Sequence, residues 1–411
     1  MSLLVYRLSI LLFRVAVLFA APFNAKAKLA LHGRKGLLKQ IKKQLHDDNA
    51  SKVWFHCASL GEFEQGRPII ERFKREFPEF KILITFFSPS GYEIRKDYEL
   101  ADFVFYLPWD TKKNAAEFIR LLRPDIAIFV KYEFWYHYLK TLKKNNIPIL
   151  SVSSIFRANQ IYFKPIGKFN LNILRLITHF FVQNRASEIL LKEYNINNVE
   201  IAGDTRFDRV AEIVTHAREL PAVEKFKGST KVMVIGSCWP EDLEVLMSFI
   251  NESPLKFIVA PHEINGKSQK IIEKDCMKKT ILYSELLNVK GDEDVLIIDY
   301  IGLLSCLYGY GEYAYVGGAF GAGLHNILEA ATYGIPIFFG NKNYKKFNEA
   351  TDLINLGGAV AFNDETELRE QFIAFDDDMA LQIAGQVNRD YVKDNTGATD
   401  KIINYCKKIL Q

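Results

Sequence analysis

The sequence predicts an α/β protein built from two doubly wound domains, and three observations carry that reading. The chain has 411 residues, the length of two domains of ordinary size. Beyond residue 52, short apolar runs alternate with amphipathic stretches, the pattern of parallel strands in a sheet covered on both faces. A polar stretch at 216–229, containing Pro221 and Gly228, divides this alternation into two halves. The predicted organisation is a basic, apolar head at 1–46, a first domain at 47–215 and a second at 230–411, whose last helix packs back on the first. Such domains hold ligands at the carboxyl ends of their strands, here facing a shared cleft.

In the first half, apolar runs at 52–57, 81–87, 103–107, 125–130, 147–152 and 179–183 predict strands. Amphipathic stretches at 62–77, 111–122, 134–145 and 185–194 predict the helices between them. The second half repeats the scheme, with strands at 231–236, 256–260, 295–299, 313–316 and 335–339. Its helices are predicted at 240–251, 265–275, 325–332, 347–355 and 365–375. The stretch 379–410 is helical in pattern. No short-period repeat is present.

Composition narrows the function. With 49% hydrophobic and 25% charged residues, a disordered or low-complexity chain is excluded. The five cysteines (Cys57, Cys238, Cys276, Cys306 and Cys406) are all more than four residues apart. No zinc ribbon or redox pair can form between sequence neighbours, and the odd, scattered set fits a reducing compartment. The net charge of +4 is uneven: residues 1–46 hold nine basic and no acidic residues, leaving 44 basic and 49 acidic for the body. A near-neutral body argues against a nucleic-acid groove.

The apolar run 3–23 is long enough to just cross a bilayer. Arg14 near its centre would cost roughly 2.5–3.5 kcal/mol there. The pattern predicts a helix in or just through a cytoplasmic leaflet, with Lys26, Lys28, Arg34, Lys35, Lys39, Lys42 and Lys43 at anionic headgroups. A cleaved signal peptide, with Ala25-Lys26-Ala27 as cleavage site, and a buried core helix are the other readings. Removal of residues 1–25 is expected to leave the body folded, because the first strand begins only near Lys52.

Chemistry-bearing residues cluster after the strands. Ser59-Leu60-Gly61-Glu62 sets a carboxylate at a strand-to-helix turn that Gly61 allows to be tight, where it can serve as general base. Ser59 and Glu62 also have the spacing of a capping box. Phe87-Ser88-Pro89-Ser90-Gly91 offers hydroxyls and amides to an anion, or simply caps a helix. Lys131-Tyr132-Glu133-Phe134-Trp135 places charge beside aromatics at a strand end, as a site or as a surface acid beside a core pair. In Gly203-Asp204-Thr205-Arg206-Phe207-Asp208, Arg206 is a fixed cation or one arm of a salt-bridged turn.

The second half has three such turns: Gly236-Ser237-Cys238-Trp239-Pro240-Glu241-Asp242, Ala260-Pro261-His262-Glu263, and the glycine-rich stretch 317–329. A helix starting near His325 would aim its amides at an anion, with Glu329 one turn in for a ribose. No Lys-Ser/Thr follows the glycines and G-x-x-G-x-G is not the dinucleotide fingerprint, so the pattern points to a nucleotide used as leaving group. There is no H-E-x-x-H, no G-x-S-x-G and no metal-ligand cluster. His56, His262 and His325 stand isolated in the sequence.

Taken in order, these segments resemble the Kdo (3-deoxy-D-manno-octulosonic acid) transferases that act on the lipid A precursor. The resemblance rests on VWFHCASLGEFEQGRPIIERF, LITFFSPSGYE, KYEFWYHYL, SIFR, GDTRFD, GSCWPED, APHE and GGAFGAGLHNILEAATYGIPIFFG, in that order over most of the chain. It implies the GT-B glycosyltransferase fold, CMP-Kdo as donor substrate, no metal or cofactor, and inverting transfer of Kdo to lipid IVA in lipopolysaccharide inner-core synthesis. It also implies the cytoplasmic face of the inner membrane, with that anionic surface as a partner. The resemblance assigns Glu62 as general base and Glu133 and Arg206 as transition-state stabilisers. It carries CMP binding to Pro261, His262, Ile301, Gly302, Leu303, Asn326, Ile327, Leu328 and Glu329.

Departures fall in two places. Where many members read Asp-Thr-x-Gly-Glu-Leu, this chain has Asp299-Tyr300-Ile301-Gly302-Leu303-Leu304, which keeps backbone contacts to a nucleotide but not a glutamate side chain. Many members carry an acid at Lys131 and Pro-Asn at Tyr136-His137. Another two-domain nucleotide-sugar enzyme, such as an epimerase, and a membrane-anchored nucleotide-binding scaffold are the competing functions.

Overall fold

The computed structural model describes residues 2–46, 48–215, 218–264, 266–288 and 291–410. It divides into two compact units, Met1–Asp208 with Thr396–Gln411, and Arg209–Asn395. The division falls within the helix Thr205–Thr215, ahead of the polar stretch 216–229. Within that stretch His216 and Ala217 lie outside the described residues.

The first unit contains β1 (Lys52–Cys57), β2 (Lys81–Phe86), β3 (Phe103–Tyr106), β4 (Ile126–Val130), β5 (Ile149–Ser154), β6 (His179–Val182) and β7 (Val199–Ile201). They form one parallel sheet in the order β3-β2-β1-β4-β5-β6-β7. Every residue of β1 and β4 is buried, which is why β4 reads as an unbroken apolar run and β1 as one interrupted only by Lys52 and His56. The helices Leu60–Glu76 and Ala398–Leu410 cover one face through Phe63, Ile69, Phe73, Ile402 and Cys406. The helices Lys112–Leu122, Tyr136–Lys144, Lys168–Leu174 and Arg185–Glu193 cover the other, burying Phe118, Leu139, Leu174 and Leu191. Asp208 ties the C-terminal helix to this unit by accepting from the amides of Gly397 and Thr399 at 2.6 and 2.7 Å.

The head is less separate than its composition suggests. Leu37, Ile41 and Leu45 are buried in the core of the first unit, beside the helix Lys112–Leu122. Leu3–Ala20 forms a helix of 18 residues, about 27 Å long. It is apolar enough by length and composition to cross a membrane, with a mean hydropathy of 2.1, and only 6% of it is buried. The buried-core-helix reading is thereby corrected. Leu4, Leu8, Leu11, Leu12 and Phe19 are exposed on it, whereas Tyr6 is buried. The Tyr6 hydroxyl donates to Asp110, and Asp110 also accepts from the amides of His137 and Tyr138 at 3.1 and 3.2 Å. Phe13 stacks on Phe87 at 5.8 Å and meets Trp109 at 5.9 Å. Arg34 lies over Trp109 at 4.4 Å and donates to the carbonyls of Phe87 and Leu107. Tyr6 and Phe13 thus bond the N-terminal helix into the unit, and removal of residues 1–25 would take these contacts away.

The second unit contains β8 (Val232–Cys238), β9 (Lys256–Pro261), β10 (Thr280–Leu282), β11 (Val295–Ile297), β12 (Tyr313–Val316), β13 (Ile337–Gly340) and β14 (Ala359–Phe362). Its parallel sheet has the order β10-β11-β9-β8-β12-β13-β14. The helices Pro240–Glu252 and Glu365–Ile373 pack Leu246, Phe249 and Leu368 on one face. The predicted helix at 265–275 is observed as Lys267–Asp275, and Asn265 lies outside the described residues. The helical stretch 379–410 is two helices, Asp378–Asp394 and Ala398–Leu410, separated at Gly397 with φ 102°.

Three strands went unpredicted: β7, β10 and β14. Each is the edge strand of its sheet and only three or four residues long, so too few buried positions mark it.

Candidate active site

In each unit the strand order reverses between two neighbouring strands, β1 and β4 in the first and β8 and β12 in the second. Turns leaving such a pair diverge and open a crevice at the carboxyl ends. The chemistry-bearing residues gather there.

After β1, Ser59 stands in extended conformation at the N-cap of the helix Leu60–Glu76, and the Glu62 arm of the capping box is made. The Ser59 amide donates to Glu62 Oε2 at 3.1 Å, and its hydroxyl bonds the same oxygen. Glu62 Oε1 receives no hydrogen bond from the described residues, and the side chain is partly exposed. The capping reading is therefore realised and still leaves one oxygen free for chemistry. Gly61 is not the reason for the turn: its φ is not positive, and an added Cβ would meet nothing nearer than the Ser59 hydroxyl at 3.9 Å. The close approach occurs at Gly91 instead. A Cβ there would stand 2.3 Å from the Phe86 ring and 3.0 Å from the Ser59 carbonyl carbon. Ser88 caps its short helix and donates its amide to the Ala58 carbonyl at 2.7 Å, so the two turns brace each other.

After β4, Lys131 takes a positive φ of 58° and its carbonyl accepts from Ser154 at 2.9 Å. This turn brings Glu133 to the end of β1. Trp135 Nε1 has one proton and two acceptors within reach, Glu133 Oε2 at 2.9 Å and His56 Nε2 at 3.2 Å. Glu133 Oε2 is 3.5 Å from that His56 nitrogen, and His56 Nδ1 bonds Thr85 at 2.8 Å. His56 is fully buried and not isolated at all; the sequence separation of 77 residues hid its carboxylate partner. Phe87 stacks on Trp135 at 4.7 Å. Burial pushes the Cys57 thiol well above its ordinary range, and Glu62 and Glu133 add to the push, which puts both carboxylates within electrostatic reach of one thiol.

After β7, Arg206 is clamped. Its Nε and Nη2 donate to Asp204 Oδ2 at 2.9 and 2.8 Å. Asp204 is buried, and Gln65 Nε2 donates to both of its oxygens at 3.1 and 3.2 Å. Burial raises the Asp204 carboxyl, but Arg206 and Gln65 outweigh it and hold it below its ordinary value. Thr205 donates to the Gln65 carbonyl at 2.5 Å. Gln65 lies one turn beyond Glu62 on the same helix, so Arg206 is registered to the turn that carries Glu62.

In the second unit, Trp239 stacks on His262 at 4.2 Å and donates to His325 Nε2 at 2.9 Å. The His262 and His325 rings lie 4.7 Å apart. An indole N–H can only donate, so His325 is neutral at Nε2. Burial and neighbouring His262 lower its pKa to about 4. Asp242 anchors the floor: it is buried, and it accepts from Trp239 and Gly318 amides at 2.8 and 2.9 Å and from Tyr315 at 2.7 Å. Gly317 is obligatory, because a Cβ would stand 2.4 Å from the Ser237 carbonyl oxygen.

The helix expected at 325–332 is corrected. It is a single turn, Leu328–Ala331, preceded by an irregular segment in which the His325 amide donates to Gly317 at 3.2 Å. The close bond to Gly317 draws His325 and Asn326 out of helical geometry. Asn326 reaches forward to Glu329 Oε1 at 3.1 Å, and its carbonyl oxygen accepts from the Leu328 amide at 3.3 Å. Ile327 and Leu328 are buried. Pro261 closes β9 against Cys238, and the His262 amide donates to the Cys238 carbonyl at 2.9 Å. Ile301 is 82% exposed, with Gly302 at φ 91°, in the loop leading through Leu303 to the helix Leu304–Leu307. Leu304 and Tyr308 pack beneath Gly236 at the end of β8.

Known proteins resemble this chain over most of its length. The profile of the family described as 3-deoxy-D-manno-octulosonic-acid transferase (kdotransferase) matches residues 30–209. A 3-deoxy-D-manno-octulosonic acid transferase of Aquifex aeolicus is 30% identical over 323 residues, covering 77% of this chain and 83% of that one. This chain belongs to the 3-deoxy-D-manno-octulosonic acid transferase family. A transferase of the same description from Chlamydia trachomatis is 28% identical over 338 residues, 77% of this chain and 76% of that one. As a Kdo transferase, the chain is a glycosyltransferase, which removes the epimerase and scaffold readings.

Its fold is GT-B. The solved UDP-GlcNAc 2-epimerase of Neisseria meningitidis superposes with a TM-score of 0.61 at 14% identity, covering 87% of this chain and 100% of that one. MurG of Acinetobacter baumannii gives 0.55 at 12%, covering 87% and 99%. Local spacing gave no role to His56, Gln65, Asp204 or Trp239, each of which also bonds or faces a partner at least 77 residues away in sequence.

Proposed function

We propose that the protein transfers Kdo from CMP-Kdo to the lipid A precursor, lipid IVA, with inversion, at the cytoplasmic face of the inner membrane. Glu62 Oε1 removes the proton of the attacking acceptor hydroxyl while Oε2 stays tied to Ser59, so the base is positioned by its own cap. Arg206, held rigid by Asp204, offers a preorganised cation to the charge that develops as the bond to CMP breaks. Glu133, beside His56 and Trp135, faces the positive charge that grows on the sugar. In the second unit His262, Asn326 and Glu329 hold the nucleotide, with Pro261, the 301–303 loop, Ile327 and Leu328 shaping its bed. The apolar helix Leu3–Ala20 and the basic residues that follow it attach the protein where a lipid acceptor resides.

The observation that carries this reading is the register Glu62–Gln65–Asp204–Arg206, which ties a fixed cation on the helix Thr205–Thr215 to the helix turn that carries the base. Purified protein is incubated with CMP-Kdo and tetraacylated lipid A precursor, and the products are weighed. A mass increase of Kdo with wild type and none with Glu62→Gln supports it. No transfer by wild type to this acceptor rejects it.

A further inference from the structure

A groove of about 680 Å³ in the first unit lies outside the catalytic cluster. It runs between the helices Lys112–Leu122 and Tyr136–Lys144 and is bordered by Leu3 and Arg7 of the N-terminal helix. Its volume is that of a ligand pocket. Its lining includes Arg7, Lys112, Arg120, Arg123, Lys140 and Lys144 and no carboxylate. Arg120 is paired with Glu117 at 2.7 Å, and Lys140 donates to the Tyr136 hydroxyl at 3.1 Å. Arg7, Lys112, Arg123 and Lys144 have no acidic partner among the described residues. Like charges gathered without counter-charge repel one another, so the groove is built at a cost that an anion would relieve.

Two further observations choose the anion. The floor is aliphatic, with Ala116, Ile119 and Ile147. The helix that borders it exposes Leu4 (76%) and Phe19 (73%) along its outer face. Uncompensated cations beside exposed apolar surface suit a membrane interface better than a soluble metabolite. His137 does not compete for the anion or add charge: burial, with Arg7, Lys140 and Lys112 facing it, lowers it to about 4, so it is neutral at pH 7.

We propose that this groove binds one anionic glycerophospholipid, its phosphate among Arg7, Lys112 and Lys140 and an acyl chain along Ala116, Ile119 and Ile147. The inference rests on the membrane-facing reading of the N-terminal helix, and adds to it a defined lipid site in place of diffuse attraction.

Full-length protein in detergent is titrated with short-chain phosphatidylglycerol and with phosphatidylcholine, with stoichiometry read by native mass spectrometry. Wild type is expected to retain one phosphatidylglycerol and to prefer it clearly over phosphatidylcholine. Lys112→Gln/Lys140→Gln changes two exposed side chains, so the fold is unaffected, and should weaken phosphatidylglycerol binding about 25-fold. Lys267→Gln/Lys270→Gln removes the same charge from the helix Lys267–Asp275 of the second unit and should leave binding unchanged. Equal losses in both double variants, or equal affinity for the two lipids, overturn the proposal. So does displacement of the lipid by millimolar inorganic phosphate, which would make the groove a plain anion site. Displacement by stoichiometric tetraacylated glycolipid would assign the groove to the acceptor instead. Kdo transfer in detergent is measured in parallel and should be normal in Lys112→Gln/Lys140→Gln. Absence of transfer by wild type would refute the function without touching the lipid result.

Discussion

The Gln65 amide donates to both oxygens of the buried Asp204 carboxylate, at 3.1 and 3.2 Å, and thereby fixes the guanidinium of Arg206 from a helix 139 residues earlier in the chain. Gln65→Leu should release that hold. A hydrogen bond to a charged group is worth about 1.5–3 kcal/mol, so stability should fall by that order and kcat by about tenfold or more, with donor KM little changed. The pH dependence supplies an independent check. The Asp204 carboxyl lies below its unfolded value, so it stabilises the fold above about pH 4 and that contribution is lost as pH falls through the folded pKa. Without Gln65 the folded pKa rises, and acid unfolding should begin at higher pH. A variant with unchanged kcat and an unchanged acid limb would show that Gln65 does not position Arg206.

In the proposed mechanism capping and catalysis meet at Glu62, and they can be separated at Ser59. Ser59→Ala should cost about 0.5–2 kcal/mol in melting experiments and leave most of the turnover. Glu62→Gln should lower turnover by roughly 10²–10⁴ with CMP-Kdo binding nearly intact. Equal turnover losses in the two variants would reduce Glu62 to a structural cap.

Tyr6 docks the N-terminal helix through Asp110. Tyr6→Phe should destabilise the first unit by about 1.5–3 kcal/mol and speed proteolysis near 21–23, where the helix ends. Deletion of residues 1–25 should do at least as much, because Phe87 and Trp109 also lose Phe13. Burial raises the Asp110 carboxyl to about 6. Between about pH 4 and 6 the folded chain keeps a proton that the unfolded chain releases, so this group lowers stability as pH rises through that window. Asp110→Asn should remove that slope. Truncated protein that melts like the full-length chain would show the docking to be dispensable.

His325 carries the opposite sign. Folded, it titrates near 4, whereas an unfolded histidine titrates near 6.5. Across that window the unfolded chain holds the extra proton, so stability falls as pH drops. The melting difference between wild type and His325→Gln should therefore change most between about pH 4 and 6.5 and flatten above it. A difference independent of pH would mean that burial and His262 do not keep the ring neutral.

Glu329 accepts from Asn326 where the proposed function places the nucleotide in the second unit. Glu329→Ala should weaken CMP binding by calorimetry, and Asn326→Ala should weaken it too if the pair acts together. Unaltered CMP affinity in both would move the nucleotide elsewhere.

By itself the sequence determined the two parallel sheets, their central strands and the turns where chemistry gathers. Buried parallel strands must be continuously apolar, and a turn that carries function must carry unusual residues; both signals are local. Eight ordered motifs were enough to indicate the family. Local spacing also identified Ser59 and Glu62 as a capping pair, but only the tertiary structure showed that one carboxylate oxygen stays free. The role of Gly61 was misread for the same reason: which glycine permits close approach depends on what packs against it, and that is Phe86 against Gly91. Edge strands β7, β10 and β14 escaped because a short strand with one neighbour buries too little to leave a pattern. The partnerships His56–Glu133, Gln65–Asp204, Trp239–His325 and Tyr6–Asp110 span from 77 to 139 residues. Sheet topology alone sets such distances, because strands adjacent in space are remote in the chain, and no local rule reads a hydrogen bond across that gap.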